Sequence, residues 1–188
     1  MTLFAVVSLL TLFLSAGNAA AGPVTLVDPL LTSDPLFVGW YHPPEPADPL
    51  DEVAYINELI KHVPGDGEVQ VGDFYYDRSA SPLDGPLPLA ILADAIKDDD
   101  PVIGANIDVT GYTYLVGKYD GRNAGALVWL VSGMTDPVIL PAKWGPSTKQ
   151  YGLSHYSLYR SVPDGGATLV LLGGALMGLA ALRRKAGA

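Results

Sequence analysis

The chain has 188 residues, no cysteine, and 20 acidic against 11 basic side chains, so its formal net charge is −9. The lack of cysteine excludes a disulfide framework, a thiolate zinc site and a cysteine nucleophile. The acidic balance disfavours a phosphate backbone, so no nucleic-acid partner is expected. Hydrophobic residues make up 49% of the chain, and they are concentrated in two uncharged stretches near its ends.

The first 21 residues have the features of a secretory signal peptide. An apolar run over residues 3–14 is followed by turn-forming residues and then by small side chains at Ala19 and Ala21. Signal peptidase requires small residues before the cut, so the pattern predicts a signal helix within 1–21 and cleavage after Ala21. The apolar run is too short to span a bilayer comfortably, which disfavours an uncleaved anchor.

Residues 22–160 are predicted to form one acidic, extracytoplasmic domain. The fragment 22–162 carries eight basic and 19 acidic residues, for a net charge of −11. This length is enough for a single domain with its own core. Eleven of the 16 prolines lie between Pro23 and Pro88, which predicts a loop-rich first half.

Two segments of this first half are predicted to be helical. Apolar residues recur at helical spacing over Val53–Val63, after a capping residue at Asp51 and before Pro64-Gly65, which predicts one helix. The segment Leu87–Lys97 is a second, less periodic candidate that would end at the acidic run before Pro101.

The second half is predicted to be β-structure. Short segments rich in β-branched and aromatic residues are separated by Gly, Pro and Asn turns. They are Val102–Asp108, Gly111–Tyr119, Ala126–Val131, Val138–Leu140 and Leu153–Arg160. The second and third of these flank turn chemistry over 120–125 and predict a hairpin. In the last one, alternation places Leu153, His155, Ser157 and Tyr159 on one face.

These elements together predict a mainly β domain. Short strands with frequent turns are typical of an antiparallel β-sandwich-like ectodomain, here with one or two short helices.

No catalytic motif occurs, and no metal site is predicted. His42, His62 and His155 lie far apart, and the prolines after His42 exclude the helix of a zincin site. His155 lies between apolar neighbours, which favours a structural histidine. The Asp98–Asp100 run, and Asp120 with Asn123, have oxygen ligands suited to calcium but lack the EF-hand spacing. Calcium therefore stays an open alternative, and no other cofactor is expected.

Two groups of residues suggest binding or hydrolysis of carbohydrates. Trp40, Tyr41 and Trp144 flank predicted loops, where exposed aromatic rings stack on sugars; core packing is the alternative role for each of them. Asp73 and Asp77 bracket three aromatic residues, which resembles the paired acids of a glycosidase.

The last 28 residues, 161–188, form a tripartite tail. The motif Val162-Pro163-Asp164-Gly165-Gly166 precedes an apolar run over 167–182 and the basic triplet Arg183-Arg184-Lys185. The run predicts a transmembrane helix, and the triplet is a stop-transfer signal that keeps the C-terminus cytoplasmic. A plain, permanent membrane anchor is the alternative interpretation.

This tail resembles the VPDSG-CTERM class of exosortase sorting signals, a relative of the PEP-CTERM group. Gly165 stands where the name-giving pattern has serine. The resemblance implies an exosortase partner that removes the helix, so that the domain is only transiently anchored in the inner membrane. It also implies release to the cell surface or to a polysaccharide-rich biofilm matrix.

The sequence therefore predicts an exported, exosortase-processed surface or extracellular-matrix protein. Its expected partners are signal peptidase, exosortase and extracellular polysaccharide, and its expected role is structural or glycan-binding, without catalysis. The alternatives are a secreted carboxylate-dependent hydrolase and a permanently anchored surface protein.

Overall fold

The computed structural model describes the central part of the chain. It covers residues 22–27, 34–42, 49–80, 83, 86–98, 104–120, 125–145 and 150–162. The predicted signal peptide, with Ala19 and Ala21, and the predicted transmembrane helix 167–182 lie outside these residues. Within the described ranges, no helix is long and apolar enough to cross a membrane.

The described residues form one large antiparallel sheet, one small parallel pair and one helix. The elements are β1 (Val24–Thr25), β2 (Phe37–His42), α1 (Pro49–Leu59), β3 (Glu68–Val71), β4 (Phe74–Arg78), β5 (Ala90–Asp98), β6 (Tyr114–Asp120), β7 (Ala126–Leu130), β8 (Val138–Ile139), β9 (Lys143–Trp144) and β10 (Tyr151–Ser161). The eight-stranded sheet has the order β3-β4-β2-β7-β6-β10-β5, and β9 also pairs with β10. β1 and β8 make the parallel pair.

The predicted hairpin is confirmed as β6 and β7, in antiparallel register from Tyr114 opposite Leu130 to Lys118 opposite Ala126. These two strands are almost continuously apolar, and both of their faces are buried. Side chains alternate between the two faces of a strand. As a result, Tyr114 and Val116 pack on the side of α1, while Leu115 packs on the opposite side.

Each face of the large sheet is therefore covered by a different layer. On one face, Ile56 and Leu59 of α1 are fully buried against the strands. On the other face, Leu26 and Val138 from the β1–β8 region pack against Trp129, which is fully buried. The mainly β, antiparallel class is confirmed. The predicted sandwich would have a second antiparallel sheet packed on the first. Instead, one helix covers one face of the large sheet, and the small parallel pair with its loops covers the other.

The first predicted helix is confirmed as α1, with shifted bounds. It ends at Leu59 rather than at Val63, and Val63 is 61% exposed. After Ile60, the amides of Lys61 and His62 bond to carbonyls three residues back, the tightening typical of a helix C-terminus.

The prediction of a second helix over Leu87–Lys97 is wrong, because Ala90–Asp98 is strand β5. Its composition suits a helix, but β10 offers a free hydrogen-bonding edge. β5 pairs with that edge from Ala90 opposite Ser161 to Asp98 opposite Tyr156. Pairing with a partner distant in sequence overrides local propensity here.

Two further predictions need correction. The strand predicted over Val102–Asp108 falls partly outside the described residues, and residues 104–108 contribute only a bridge from Ile107 to Val138. The first half, predicted as loops and helices, supplies β2, β3 and β4 of the large sheet.

The predicted last strand is confirmed as β10, but Leu153 does not share a face with His155 and Tyr159 as predicted. The register with β6 shifts between Leu153 and His155, and a bulge of this kind reverses the alternation. Leu153 consequently packs with the core cluster of the β1–β8 side. His155 and Tyr159 reach Glu52 of α1 on the opposite side.

Candidate functional site: an aromatic groove with two carboxylates

A single rung across three strands forms the centre of the candidate site. Trp40 of β2 lies opposite Asp77 of β4, and Asp77 in turn lies opposite Glu68 of β3. Directly paired residues of antiparallel strands project to the same face, with Cβ atoms about 4.5–5.5 Å apart. An indole ring and two carboxyl groups therefore stand side by side.

The next rung on the same face adds two rings. His42 of β2 lies opposite Tyr75 of β4, and their ring centroids are 6.4 Å apart at a tilt of 34°. The strand pair β2–β4 therefore presents aromatic rings at two successive rungs: Trp40 at the first, and His42 with Tyr75 at the second.

Trp144 of β9 closes the site from the other side. Its ring centroid lies 6.1 Å from that of Trp40, at 49°. Gly125 lies beside this pair: an ideal Cβ placed on it would clash with the Tyr41 carbonyl oxygen, whereas its contact with the Trp144 ring at 3.4 Å would be ordinary. Glycine at this position therefore allows the close approach to the β2 backbone at Tyr41.

These side chains line a shallow, open groove of about 380 Å³. Its lining residues are Trp40, His42, Glu68, Tyr75 and Trp144. The volume lies within the range of small-molecule sites. Trp40 and Tyr75 are half-buried, Glu68 is exposed, and Trp144 is 6% exposed. Trp144 is thus mainly a wall, while Trp40 and Tyr75 offer accessible ring surface.

The carboxyl group of Asp77 is held against Trp40. It accepts a hydrogen bond from the Trp40 side chain, and its partial burial raises the pKa of Asp77 above the ordinary value. Burial disfavours the charged form, and the hydrogen bond opposes that effect in part. The site thus combines a fixed, partly dehydrated acid with a freely solvated one at Glu68.

Of the three predicted stacking residues, Tyr41 does not reach the groove. It follows Trp40 in β2, so its side chain lies on the opposite face, where it is 1% exposed and packs against Tyr55 and Tyr76. Burial raises the pKa of Tyr41 well above its usual range. Its ring belongs to the core under α1 and has no face free for a ligand.

The two acids predicted to act as a pair, Asp73 and Asp77, also do not lie together. Asp73 is exposed in the turn between β3 and β4, four residues along from Asp77, which is about 13 Å in an extended strand. Glu68 is the carboxylate that lies opposite Asp77. Sequence reasoning missed Glu68 because its proximity depends on the β3–β4 register; the Val-x-Val-Gly-Asp turn signal at residues 69–73 could have revealed it.

The histidines have separate environments. His155 is buried as predicted, with Nε2 3.2 Å from Glu52 Oε1, and Tyr159 donates a hydrogen bond to the other oxygen of Glu52. His62 packs against Tyr76 at 5.6 Å between ring centroids. Among the described residues, no group of three or more His, Asp or Glu side chains could hold a metal ion. Asp99, Asp100 and Asn123, from the calcium alternative, lie outside them.

The tail begins where the domain ends. Val162 follows β10, donates its amide to the Leu89 carbonyl oxygen at 3.0 Å and is 48% exposed. The rest of the predicted motif, Pro163–Gly166, and the basic triplet Arg183–Lys185 lie outside the described residues.

Comparison with protein families decides the nature of this tail. Residues 161–186 match the VPDSG-CTERM motif. The tail is a VPDSG-CTERM sorting tail. This match confirms the resemblance seen in the sequence and indicates an exosortase-sorted, exported protein. Comparisons with curated proteins and with solved structures gave no match, so the role of the domain rests on its own residues.

Proposed function

We propose that this protein is exported, processed by exosortase at its VPDSG-CTERM tail, and binds extracellular polysaccharide through the aromatic groove without catalysis. In this proposal, signal peptidase cuts after Ala21 and the helix 167–182 anchors the chain transiently in the inner membrane. Exosortase then releases the domain, residues 22–160, to the cell surface or the biofilm matrix. The tail match supports the sorting step.

One observation carries the glycan proposal: Trp40 and Tyr75 present ring surface beside two carboxyl groups and an imidazole. Sugars have apolar C–H faces that stack on aromatic rings and hydroxyl groups that need fixed polar partners. Asp77, held by Trp40, is such a partner.

Co-sedimentation with the producer's own polysaccharide tests this proposal. The full chain, in non-ionic detergent, is compared with Trp40→Ala and with Tyr112→Ala. Tyr112 is a half-buried aromatic residue outside the groove, with the Arg160 guanidinium 5.3 Å from its ring centroid. We expect loss of binding of about fivefold or more for Trp40→Ala, since stacking of a nucleic-acid base on such a ring is worth about 1–3 kcal/mol and a sugar face is expected to stack in a similar way. Equal binding by both variants would contradict the proposal.

A carboxylate-dependent hydrolase is the second candidate, and the Glu68–Asp77 pair favours it. Burial raises the pKa of Asp77 above its ordinary value, which is the direction expected of a proton donor, and Glu68 lies directly opposite. A retaining glycosidase needs its carboxyl groups about 5–5.5 Å apart. Reducing-sugar release that disappears in both Asp77→Asn and Glu68→Gln, and persists in Asp73→Asn, would establish this alternative.

A further inference from the structure

Among the described residues that line the groove, the acid or base with a formal charge is the carboxyl group of Glu68. Asp77, directly opposite Glu68, adds a second carboxyl group on the same face of the sheet, and none of the described lining residues is Lys or Arg. Lys143, the neighbour of Trp144, is exposed and lies on the opposite side of the β9 pleat. The fragment 22–162 as a whole carries a net charge of −11, which adds to the negative potential at the groove.

This charge distribution discriminates among polysaccharides. A uronic-acid or sulfated polymer would bring like charges against Glu68 and Asp77, which is unfavourable at short range. A neutral glycan would offer hydroxyl donors to both carboxyl groups but would supply no counter-charge. An ammonium group would neutralise them, and it would also be attracted to the face of Trp40.

The neighbouring rings match such a cation. An ammonium group is attracted to an aromatic face within about 6 Å of its centroid, most strongly to indole. Trp40 stands directly beside Asp77, and Tyr75 lies one rung further along β4. A sugar ring stacked on Trp40 would therefore hold an amino substituent near both the indole and a carboxylate.

We infer that the groove recognises a cationic amino sugar, that is, a hexosamine polymer with free, protonated amino groups. This inference rests on the proposed glycan-binding function and names its ligand class. The sugar ring stacks on Trp40, and the protonated amine pairs with Glu68 and Asp77. A lysine-rich peptide could offer the same charge, but it lacks the flat C–H face that would cover the indole.

Calorimetric titration of the full chain in non-ionic detergent tests the inference with four probes. They are a glucosamine hexamer, an N-acetylglucosamine hexamer, a galacturonate hexamer and a lysine hexapeptide. We expect the glucosamine hexamer to bind at least about tenfold more tightly than each of the others, the value of one charge-assisted hydrogen bond. Its affinity should also fall with added salt.

Two variants, each of which removes one negative charge, test whether the affinity for the glucosamine hexamer depends on the groove. Glu68→Gln should lose about tenfold in affinity for the glucosamine hexamer. Asp73→Asn, the same change of charge in the turn of the same hairpin, should not. Both sites are exposed, so both variants are expected to fold, and tryptophan fluorescence melting verifies this.

The outcomes separate the inference from the function on which it rests. Equal binding of the two hexosamine hexamers would overturn the inference while leaving glycan binding intact. Equal binding of the lysine hexapeptide would replace the amino sugar by a basic peptide. Absence of glucosamine binding would overturn the inference, and the co-sedimentation of Trp40→Ala with the native polysaccharide would then decide the proposed function independently.

Discussion

Replacement of Glu52 by alanine should destabilise the domain strongly. Glu52 lies in the first turn of α1 and is 0% exposed. Its Oε1 atom is 3.2 Å from His155 Nε2, and its Oε2 atom accepts a hydrogen bond from Tyr159. This carboxylate therefore joins the helix to β10, more than 100 residues away in sequence.

The expected magnitude follows from these two contacts. A hydrogen bond to a charged group contributes about 1.5–3 kcal/mol. Removal of one partner from a buried polar cluster costs about 3–5 kcal/mol, because the remaining groups lose their acceptor and stay buried. We therefore expect Glu52→Ala to lower the free energy of unfolding by about 3–5 kcal/mol, a large part of the about 5–15 kcal/mol typical of a domain.

Urea unfolding followed by tryptophan fluorescence measures this loss. The chain has three tryptophans, and Trp40, Trp129 and Trp144 all lie in the described domain. Glu58→Ala is the matched control on the same helix, since Glu58 is partly exposed and pairs with Lys61 at 2.6 Å, a surface pair worth about 0–1 kcal/mol. Equal losses for the two variants would refute the structural role of Glu52.

Three further predictions follow from other parts of the molecule. Gly39→Ala should destabilise the β2–β4 pairing by more than about 1 kcal/mol, since a Cβ there would clash with the Asp77 carbonyl oxygen; an unchanged urea midpoint would contradict this. Burial raises the pKa of Asp77, so Asp77 contributes stability at low pH that is lost as pH rises through the raised value. Asp77→Asn should therefore gain stability relative to the wild type as the pH rises from the ordinary pKa of 3.8 through the raised value, and a pH-independent difference would count against the shift. Mass spectrometry of the mature surface form should find no peptides from 167–188, and their recovery would indicate permanent anchoring.

The sequence was most informative where local patterns act alone. The helical spacing of α1 and the hairpin of β6 and β7 need only nearby residues, and both were predicted. The tail is equally local, because its motif, apolar run and basic triplet are contiguous. Each of these features is specified by neighbours within a few turns or one hairpin.

The remaining features depend on contacts between distant residues. β5 is a strand because β10 pairs with it, and the bulge that turns His155 away from Leu153 exists only in the pairing with β6. The composition of the groove likewise could be predicted only in part from the sequence. Trp40 and Trp144 were identified as aromatic candidates, but the exclusion of Tyr41 and the pairing of Asp77 with Glu68 follow from strand alternation and register.

Quenching of tryptophan fluorescence tests the central claim, binding of polysaccharide in the groove, most directly. Trp129 is fully buried and Trp144 is 6% exposed, so the half-buried Trp40 should supply most of the fluorescence accessible to acrylamide, a neutral quencher. Trp40→Phe should remove this component. The account predicts that saturating polysaccharide protects Trp40 from the quencher; a bound polysaccharide that leaves Trp40 fully quenchable would contradict it.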